Sequence, residues 1–107
     1  MEEVPNSSAV ITNPTHLAVA VKYEPGVTKA PMVVAKGERN IAVQIKVLAE
    51  DSNVPIIENV ELARALFSSC EIGQSIPVEL YKSVAEVLAY IMRLKKKKER
   101  IKKRRTA

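Results

Sequence analysis

The sequence predicts a small α/β domain in which one mixed sheet of about four strands is covered by helices. The chain has 107 residues, which suffices for one compact domain. Hydrophobic residues make up 47% and aromatic residues only 4%, so the predicted core is aliphatic. Strand-like and helix-like segments follow one another in the order β-β-β-α-β-α-α. We divide the chain into a polar lead-in at residues 1–8, the domain at residues 9–94 and a basic tail at residues 95–107.

The first three segments are predicted strands. Ala9 to Ile11 form a short apolar strand that leads into an Asn-Pro pair. From His16 to Tyr23, larger apolar residues alternate with small or polar ones, a period of two that predicts a half-buried strand. Glu24 to Gly26 predict a turn, and residues 27–31 a loop. Met32 to Ala35 form the third strand, which we expect the following Lys-Gly pair to end.

Apolar residues at helical spacing predict three helices in the second half. Val54 to Ile57 form a short strand between the first two helices, with a proline near its start, where a missing N–H is tolerated. Asn59 can cap the second helix, Gly73 should end it, and Pro77 suits the first turn of the third. The residues of the three apolar stripes are Ile41, Ile45, Leu48 and Ala49; Leu62, Ala63, Leu66 and Phe67; and Leu80, Val84, Val87, Leu88, Ile91 and Leu94.

The net charge of +5 hides two parts of opposite sign. Residues 93–107 carry ten of the 17 basic residues and one of the 12 acidic ones, so residues 1–92 hold seven basic and eleven acidic groups, a net of −4. The tail from Lys95 to Arg105 can be a solvated end, or it can bind an anionic membrane surface or a nucleic acid. Specific nucleic-acid binding is not expected, because no reading helix or zinc spacing accompanies the tail.

The inventory of reactive side chains excludes several classes of site. One His and one Cys, far apart in the sequence, do not make a tetrahedral metal site, and no phosphate-binding loop is present, so we expect no metal and no cofactor. Cys70 is the single cysteine, which excludes an intrachain disulfide and fits a reducing compartment. We expect it to be a buried structural residue. No apolar run approaches the roughly 20 residues of a membrane span.

Four residues can do unusual chemistry: Asn13, Pro14, Thr15 and His16. Because Pro14 has no backbone N–H, ordinary deamidation of Asn13 is blocked. The Asn13 side-chain nitrogen can instead attack its own main-chain carbonyl, form a succinimide and expel the proline nitrogen. His16 can take or donate a proton, and the Thr15 hydroxyl or N–H can polarise the carbonyl. Taken alone, these four residues leave both an ordinary turn and self-cleavage open.

The blocks around this motif resemble the cytoplasmic domain of the FlhB/YscU family of type III secretion, and in particular its flagellar branch. The resemblance runs from about Val4 to Leu94, although the tail is more basic than the family pattern requires. It is carried by segments in the same order: Val10 to Tyr23, Pro31 to Gly37, Val54 to Asn59, Leu62 to Leu66, Ile72 to Gln74, Ile76 and Pro77, Glu79 to Tyr81, and Ala85 to Tyr90.

The resemblance implies a chemistry and a role. Asn13 would be the nucleophile and Pro14 the leaving residue, with Thr15 and His16 assisting. The cut would be a single-turnover self-cleavage that helps switch the export apparatus from early to late substrates, and the two pieces would stay in one sheet. In the family the domain follows four membrane helices and lies at the cytoplasmic face of the bacterial inner membrane. The start of the chain, Met1 to Pro5, looks like interior family sequence, which favours a fragment.

The resemblance also implies partners: an FlhA-like export gate, a length-control ruler protein, export substrates and chaperones, and the chain's own cleaved N-terminal segment. A second function remains open, a basic-tailed module that binds nucleic acid or a membrane surface without self-cleavage. It predicts salt-sensitive binding to DNA or RNA that disappears when residues 95–105 are deleted.

Overall fold

The computed structural model describes residues 1–106, with side chains described as far as residue 100. It confirms the α/β fold and the predicted order of elements. Short 3-10 turns, Val4–Asn6 and Val78–Leu80, precede the sheet and the last helix. The strands are β1 (Ala9–Asn13), β2 (Leu17–Lys22), β3 (Met32–Glu38) and β4 (Ile56–Glu58), and the helices are α1 (Asn40–Asp51), α2 (Val60–Ser69) and α3 (Tyr81–Thr106).

The four strands form one mixed sheet in the order β3-β2-β1-β4. β2 is antiparallel to both β1 and β3, and β4 is parallel to β1. β1, β3 and β4 therefore end at the same edge of the sheet, where β2 begins. Helices α1 and α2 start from this edge. Backbone hydrogen bonds from Arg39 N–H to the His16 carbonyl (3.0 Å) and from Asn59 N–H to the Thr12 carbonyl (2.9 Å) tie these connections together.

Helices cover both faces of the sheet. α1 packs on one face and α2 with α3 on the other, which leaves two aliphatic clusters. The prediction that β2 is half-buried is wrong, because Ala18 and Ala20 are as fully buried under α1 as Val19 and Val21 are under the other helices. In a strand that is covered on both sides, large and small side chains can still alternate when one face carries only small residues. In β2 the alanines on one face let α1 approach closely.

The sequence predicted that β3 ends at the Lys36–Gly37 pair, but Gly37 lies within the strand. The strand continues to Glu38, and Gly37 is paired with Ala18 of β2. A Cβ at Gly37 would collide with the side chain of Ile41, so this position is one of close approach between β3 and the first turn of α1. Ile41 itself is 49% exposed, which corrects its place in the predicted buried stripe. The buried residues of α1 are Ala42, Ile45 and Ala49.

The remaining elements follow the sequence closely, with small shifts at their ends. The Asn59 side chain caps α2 by accepting a 3.1 Å hydrogen bond from the Leu62 N–H. β4 begins after Pro55, whose carbonyl accepts a hydrogen bond from the Val10 N–H. α2 ends at Ser69, before the Gly73 turn.

Helix α3 has two parts. Val84, Val87 and Ile91 are buried against the sheet, whereas Leu94, predicted to belong to this stripe, is 40% exposed. Beyond it the same helix continues through the basic tail to Thr106. Among the helices of the described chain, none combines the length and the apolar character needed to cross a membrane.

Candidate functional site

The motif Asn13 to His16 forms the turn between the two central strands. Asn13 ends β1 and is paired with Leu17, the first residue of β2. The His16 N–H donates a 2.9 Å hydrogen bond to the Asn13 carbonyl oxygen, which closes a four-residue β-turn. Pro14 occupies the second position, for which its fixed φ is suited. Thr15 and His16 have no positive φ, so the turn does not depend on glycine.

The four residues of the motif differ in exposure. Asn13 is only 8% exposed, whereas Pro14, Thr15 and His16 lie on the surface. Within the part of the chain that the structure describes, no side-chain hydrogen bond engages the Asn13 amide. Because no fully buried side-chain polar atom among the described residues lacks a partner, the unbonded Asn13 amide still touches solvent at the sheet edge, and Pro14 is exposed.

The Asn13 carbonyl is polarised by a different group from the one that the sequence suggested. We expected a Thr15 group, but the 2.9 Å donor is the backbone N–H of His16. A donor already aimed at a carbonyl oxygen also stabilises the negative charge that develops there when a nucleophile adds. The turn itself therefore supplies one oxyanion donor.

The side chains of Thr15 and His16 contact each other. Thr15 Oγ1 lies 3.0 Å from His16 Nδ1. When the hydroxyl donates this bond, Nδ1 is the acceptor and the ring proton resides on Nε2. In that tautomer Thr15 orients the imidazole. The structure brings all four predicted residues together in one turn.

Lys46 reaches this turn from helix α1. Its Nζ donates a 2.9 Å hydrogen bond to the Pro14 carbonyl. The two residues are 32 positions apart, and Lys46 simply follows the buried Ile45 along an amphipathic helix. No spacing signal in the sequence indicates this contact, which the sequence analysis missed.

A depression of about 330 Å³ opens beside the turn. Its lining residues are Asn13, His16, Leu17, Glu38, Arg39 and Arg64. Arg39 joins β3 to α1 with a φ of +53°, a region that non-glycine residues rarely occupy. Arg64 projects from the second turn of α2. Both arginines were missed by the sequence analysis, because only the sheet topology brings them to the end of β1.

A larger depression, of about 750 Å³, lies away from the motif. Its lining includes the lead-in segment at residues 5–8, the turn after β2, and Ala85, Leu88 and Met92 of α3. None of the four motif residues contributes to it. The motif therefore lines only the smaller of these two depressions, at the opposite end of β1.

Comparisons with known proteins find one family that matches most of the chain. Residues 1–91 match the model of the FlhB HrpN YscU SpaS family. The chain is 52% identical over 97 residues to the flagellar biosynthetic protein FlhB of Aquifex aeolicus and 45% identical over 97 residues to that of Bacillus subtilis. Both alignments include 91% of this chain, but only 28% of the Aquifex protein and 27% of the Bacillus protein. The chain thus spans about a quarter of the curated proteins that it resembles.

Solved structures share the fold. The cytoplasmic domain of FlhB from Shewanella putrefaciens matches with a TM-score of 0.88 and 39% identity, over 92% of this chain and 75% of that one. An EscU C-terminal domain with an asparagine-to-alanine substitution matches with a TM-score of 0.81 and 32% identity. The match covers 83% of this chain and 89% of the EscU domain. Another EscU structure carries a proline-to-alanine substitution at the next position, so EscU also has an Asn-Pro pair.

Proposed function

The chain belongs to the FlhB HrpN YscU SpaS family, and from that premise we propose that it is an export-switch domain that cleaves itself between Asn13 and Pro14. The cut would change which substrates a flagellar or related type III export apparatus accepts. The observation that carries the proposal is the turn itself. It combines a nearly buried asparagine whose amide is uncommitted, a carbonyl held by the His16 N–H, and an exposed proline.

The reaction balances within the turn. Asn13 Nδ2 attacks the Asn13 carbonyl carbon, and the new C–N bond closes a five-membered ring. The bond between that carbon and the Pro14 nitrogen breaks, and a proton passes from the amide to the departing nitrogen. Holding nucleophile and carbonyl together in a folded turn removes much of the entropic cost of ring closure, an effect of up to about 7–11 kcal/mol in well-oriented reactions.

The other residues of the turn assist. The His16 N–H, 2.9 Å from the carbonyl oxygen, stabilises the oxyanion of the tetrahedral intermediate. The His16 imidazole, oriented by Thr15, can carry the proton from the amide to the proline nitrogen. Pro14 contributes by lacking the N–H that would divert Asn13 into deamidation.

The position of β1 explains why the fold would persist after the cut. β1 lies between β2 and β4 and forms ladders with both. Ala9, Val10 and Ile11 are fully buried between the two helical layers. The N-terminal piece is therefore held by the hydrogen bonds to both neighbouring strands and by packing in both aliphatic clusters. The break would change the surface around the turn while the sheet remains. Such a change can be read by a partner that contacts this edge.

The partners and the location carry over from the family as part of the same proposal. The domain would face the cytoplasm beside the inner membrane and contact an export gate, a ruler protein, export substrates and chaperones. The exposed residues Lys95 to Lys98 on α3 fit contact with an anionic membrane surface. That prediction extended to Arg105, but the side chains of residues 101–105 lie outside those described.

Intact mass spectrometry of the purified chain tests the proposal. We expect two masses, for residues 1–13 and 14–107, to replace the full chain during incubation at neutral to mildly alkaline pH. The Asn13→Ala variant should stay intact, because it lacks the nucleophile. Pro14→Ala should cleave slowly or deamidate instead. A wild-type chain that remains whole contradicts the proposal, and an Asn13→Ala chain cut at the same bond points to a contaminating protease.

A further inference from the structure

We propose that Arg39 and Arg64 form a binding site for the carboxylate that the cut creates at residue 13, an inference that rests on the proposed self-cleavage. The ligand is the chain's own new end. The site would hold the N-terminal piece in register after the covalent link is lost.

The cut produces one negative charge at residue 13 by either route, and the Pro14 nitrogen becomes a protonated amino terminus on the surface of the domain. Water adds to one carbonyl of the succinimide and the ring C–N bond to that carbonyl breaks, with the proton going to the nitrogen. Addition at the former main-chain carbon gives an α-carboxylate and restores the asparagine amide. Addition at the side-chain carbon gives a side-chain carboxylate and an α-amide. Both products are ionised at neutral pH.

This charge appears in a place where it needs a partner. Asn13 is only 8% exposed, and an unpaired carboxylate loses much of its hydration in such surroundings. The depression that Asn13 lines also contains Arg39 and Arg64. A guanidinium can bind both oxygens of a carboxylate at once, which makes arginine the most suitable side chain for this ligand.

The two guanidinium groups are available for it. Among the side chains described through residue 100, the cations that form ion pairs are Lys22 and Lys36. Neither Arg39 nor Arg64 forms an ion pair with any of these described side chains. Glu38 is the acidic residue on the rim of the depression, and it is exposed to solvent. The pocket thus brings two cations and one solvated anion to the residue that becomes charged.

The backbone around Arg39 adds to this field. Arg39 is the N-cap residue of α1, and its side chain does not cap the helix. The first N–H groups of α1 and the positive end of its dipole therefore lie at the same sheet edge, where they favour a negative charge. The 3.0 Å hydrogen bond from the Arg39 N–H to the His16 carbonyl fixes this residue beside the turn.

The first test measures how fast the cut chain loses its N-terminal piece. Wild type, Arg39→Gln, Arg64→Gln and the double variant are incubated until cleavage is complete and then diluted, and release of residues 1–13 is followed by gel filtration and mass. We expect the double variant to release the piece about three- to tenfold faster at low salt, with the difference shrinking as salt screens the charges. Arg93→Gln, an exposed arginine on α3, is the matched control and should behave as wild type. In the uncut Asn13→Ala chain the same arginine substitutions should leave the melting temperature unchanged.

The second test does not need the arginine variants to fold or to cleave. Cut wild-type chain is mixed with an excess of two isotopically distinct synthetic peptides of residues 1–13, one with a free C-terminal carboxylate and one with a C-terminal amide. We expect the acid to be incorporated about three- to tenfold more than the amide. Equal incorporation of the two peptides would overturn the inference. It would also be overturned if the arginine substitutions lowered the melting temperature of the uncut Asn13→Ala chain as strongly as they weaken the hold on the N-terminal piece in the cut chain. A wild-type chain that never cleaves would instead overturn the proposed function.

Discussion

Lys46 Nζ lies 2.9 Å from the carbonyl oxygen of Pro14, so helix α1 holds the residue that the proposed cut would expel. The bond fixes the orientation of the Pro14 carbonyl and places a positive charge next to the scissile peptide. The first effect favours the reaction because it restricts the turn, whereas the bonded carbonyl belongs to the Pro14–Thr15 peptide and is not conjugated with the departing nitrogen. Lys46 therefore acts as a positioning residue in the proposed cleavage.

We predict that Lys46→Met slows cleavage about three- to tenfold, since one charge-assisted hydrogen bond at an exposed site is lost. Lys46→Arg keeps a charged donor and should cleave at close to the wild-type rate, and Lys46→Gln should lie between. Intact mass measured over time gives the rates. Lys82→Met, which removes an exposed lysine from α3, is the control. Equal rates for Lys46→Met and wild type would remove Lys46 from the mechanism.

The contact between Thr15 and His16 predicts non-additive substitutions. His16→Ala should slow cleavage without stopping it, since the oxyanion donor is a backbone N–H that the variant retains. Thr15→Val removes the hydroxyl that lies 3.0 Å from Nδ1 and should also slow the reaction. If Thr15 acts by orienting the imidazole, the double variant should be no slower than His16→Ala. Rate effects that multiply would instead show that Thr15 acts independently of the ring.

The sequence predicted what is local and missed what depends on the tertiary fold. The motif from Asn13 to His16 is contiguous, so its residues meet in one turn wherever the strands lie. The Asn59 cap is equally local and was predicted correctly. Lys46, Arg39 and Arg64 come to the turn through the order of the strands and the placement of α1 and α2, which no single spacing encodes.

The same reason explains the errors in burial. Alternation in β2 shows that its two faces differ, but it cannot tell a solvent-facing alanine from one beneath a helix. Ala18 and Ala20 are buried because α1 crosses that face. The sequence predicts a strand end at Gly37, since an isolated glycine after a lysine is typical of turns. Its actual role, to make room for Ile41, requires knowing which helix packs above it.

Burial of Cys70 predicts a pH-dependent contribution to stability. Burial raises the pKa of the Cys70 thiol above the ordinary value of 9.0, so the folded protein favours the neutral thiol. The unfolded chain ionises first as pH rises, so the advantage is fully present below pH 9 and is lost above it. We expect the unfolding free energy of Asn13→Ala to fall more between pH 8 and about pH 10 than that of the Asn13→Ala, Cys70→Ala chain. Urea titrations at both pH values measure this, and parallel losses would contradict it.

The close approach of Gly37 to Ile41 makes a prediction about the support of the turn. In Gly37→Ala the new methyl group meets the Ile41 side chain, and we expect a loss of about 1–3 kcal/mol in unfolding free energy. Ile41 is half exposed, so Ile41→Ala alone should cost less. Because Ile41→Ala removes the Cγ2 atom, the nearer of the two colliding side-chain atoms, but keeps Cβ, the double variant should be more stable than Gly37→Ala without recovering fully.

These variants are best made in the Asn13→Ala chain, so that unfolding involves one uncut molecule, and compared by urea titration. Ala35→Gly, a change of similar size in the same strand, is the control, and it should not be rescued by Ile41→Ala. Strictly additive effects of Gly37→Ala and Ile41→Ala would show that the two residues are not in conflict. Recovery in the double variant would show that Gly37 is needed for the close approach between β3 and α1, the helix that carries Lys46.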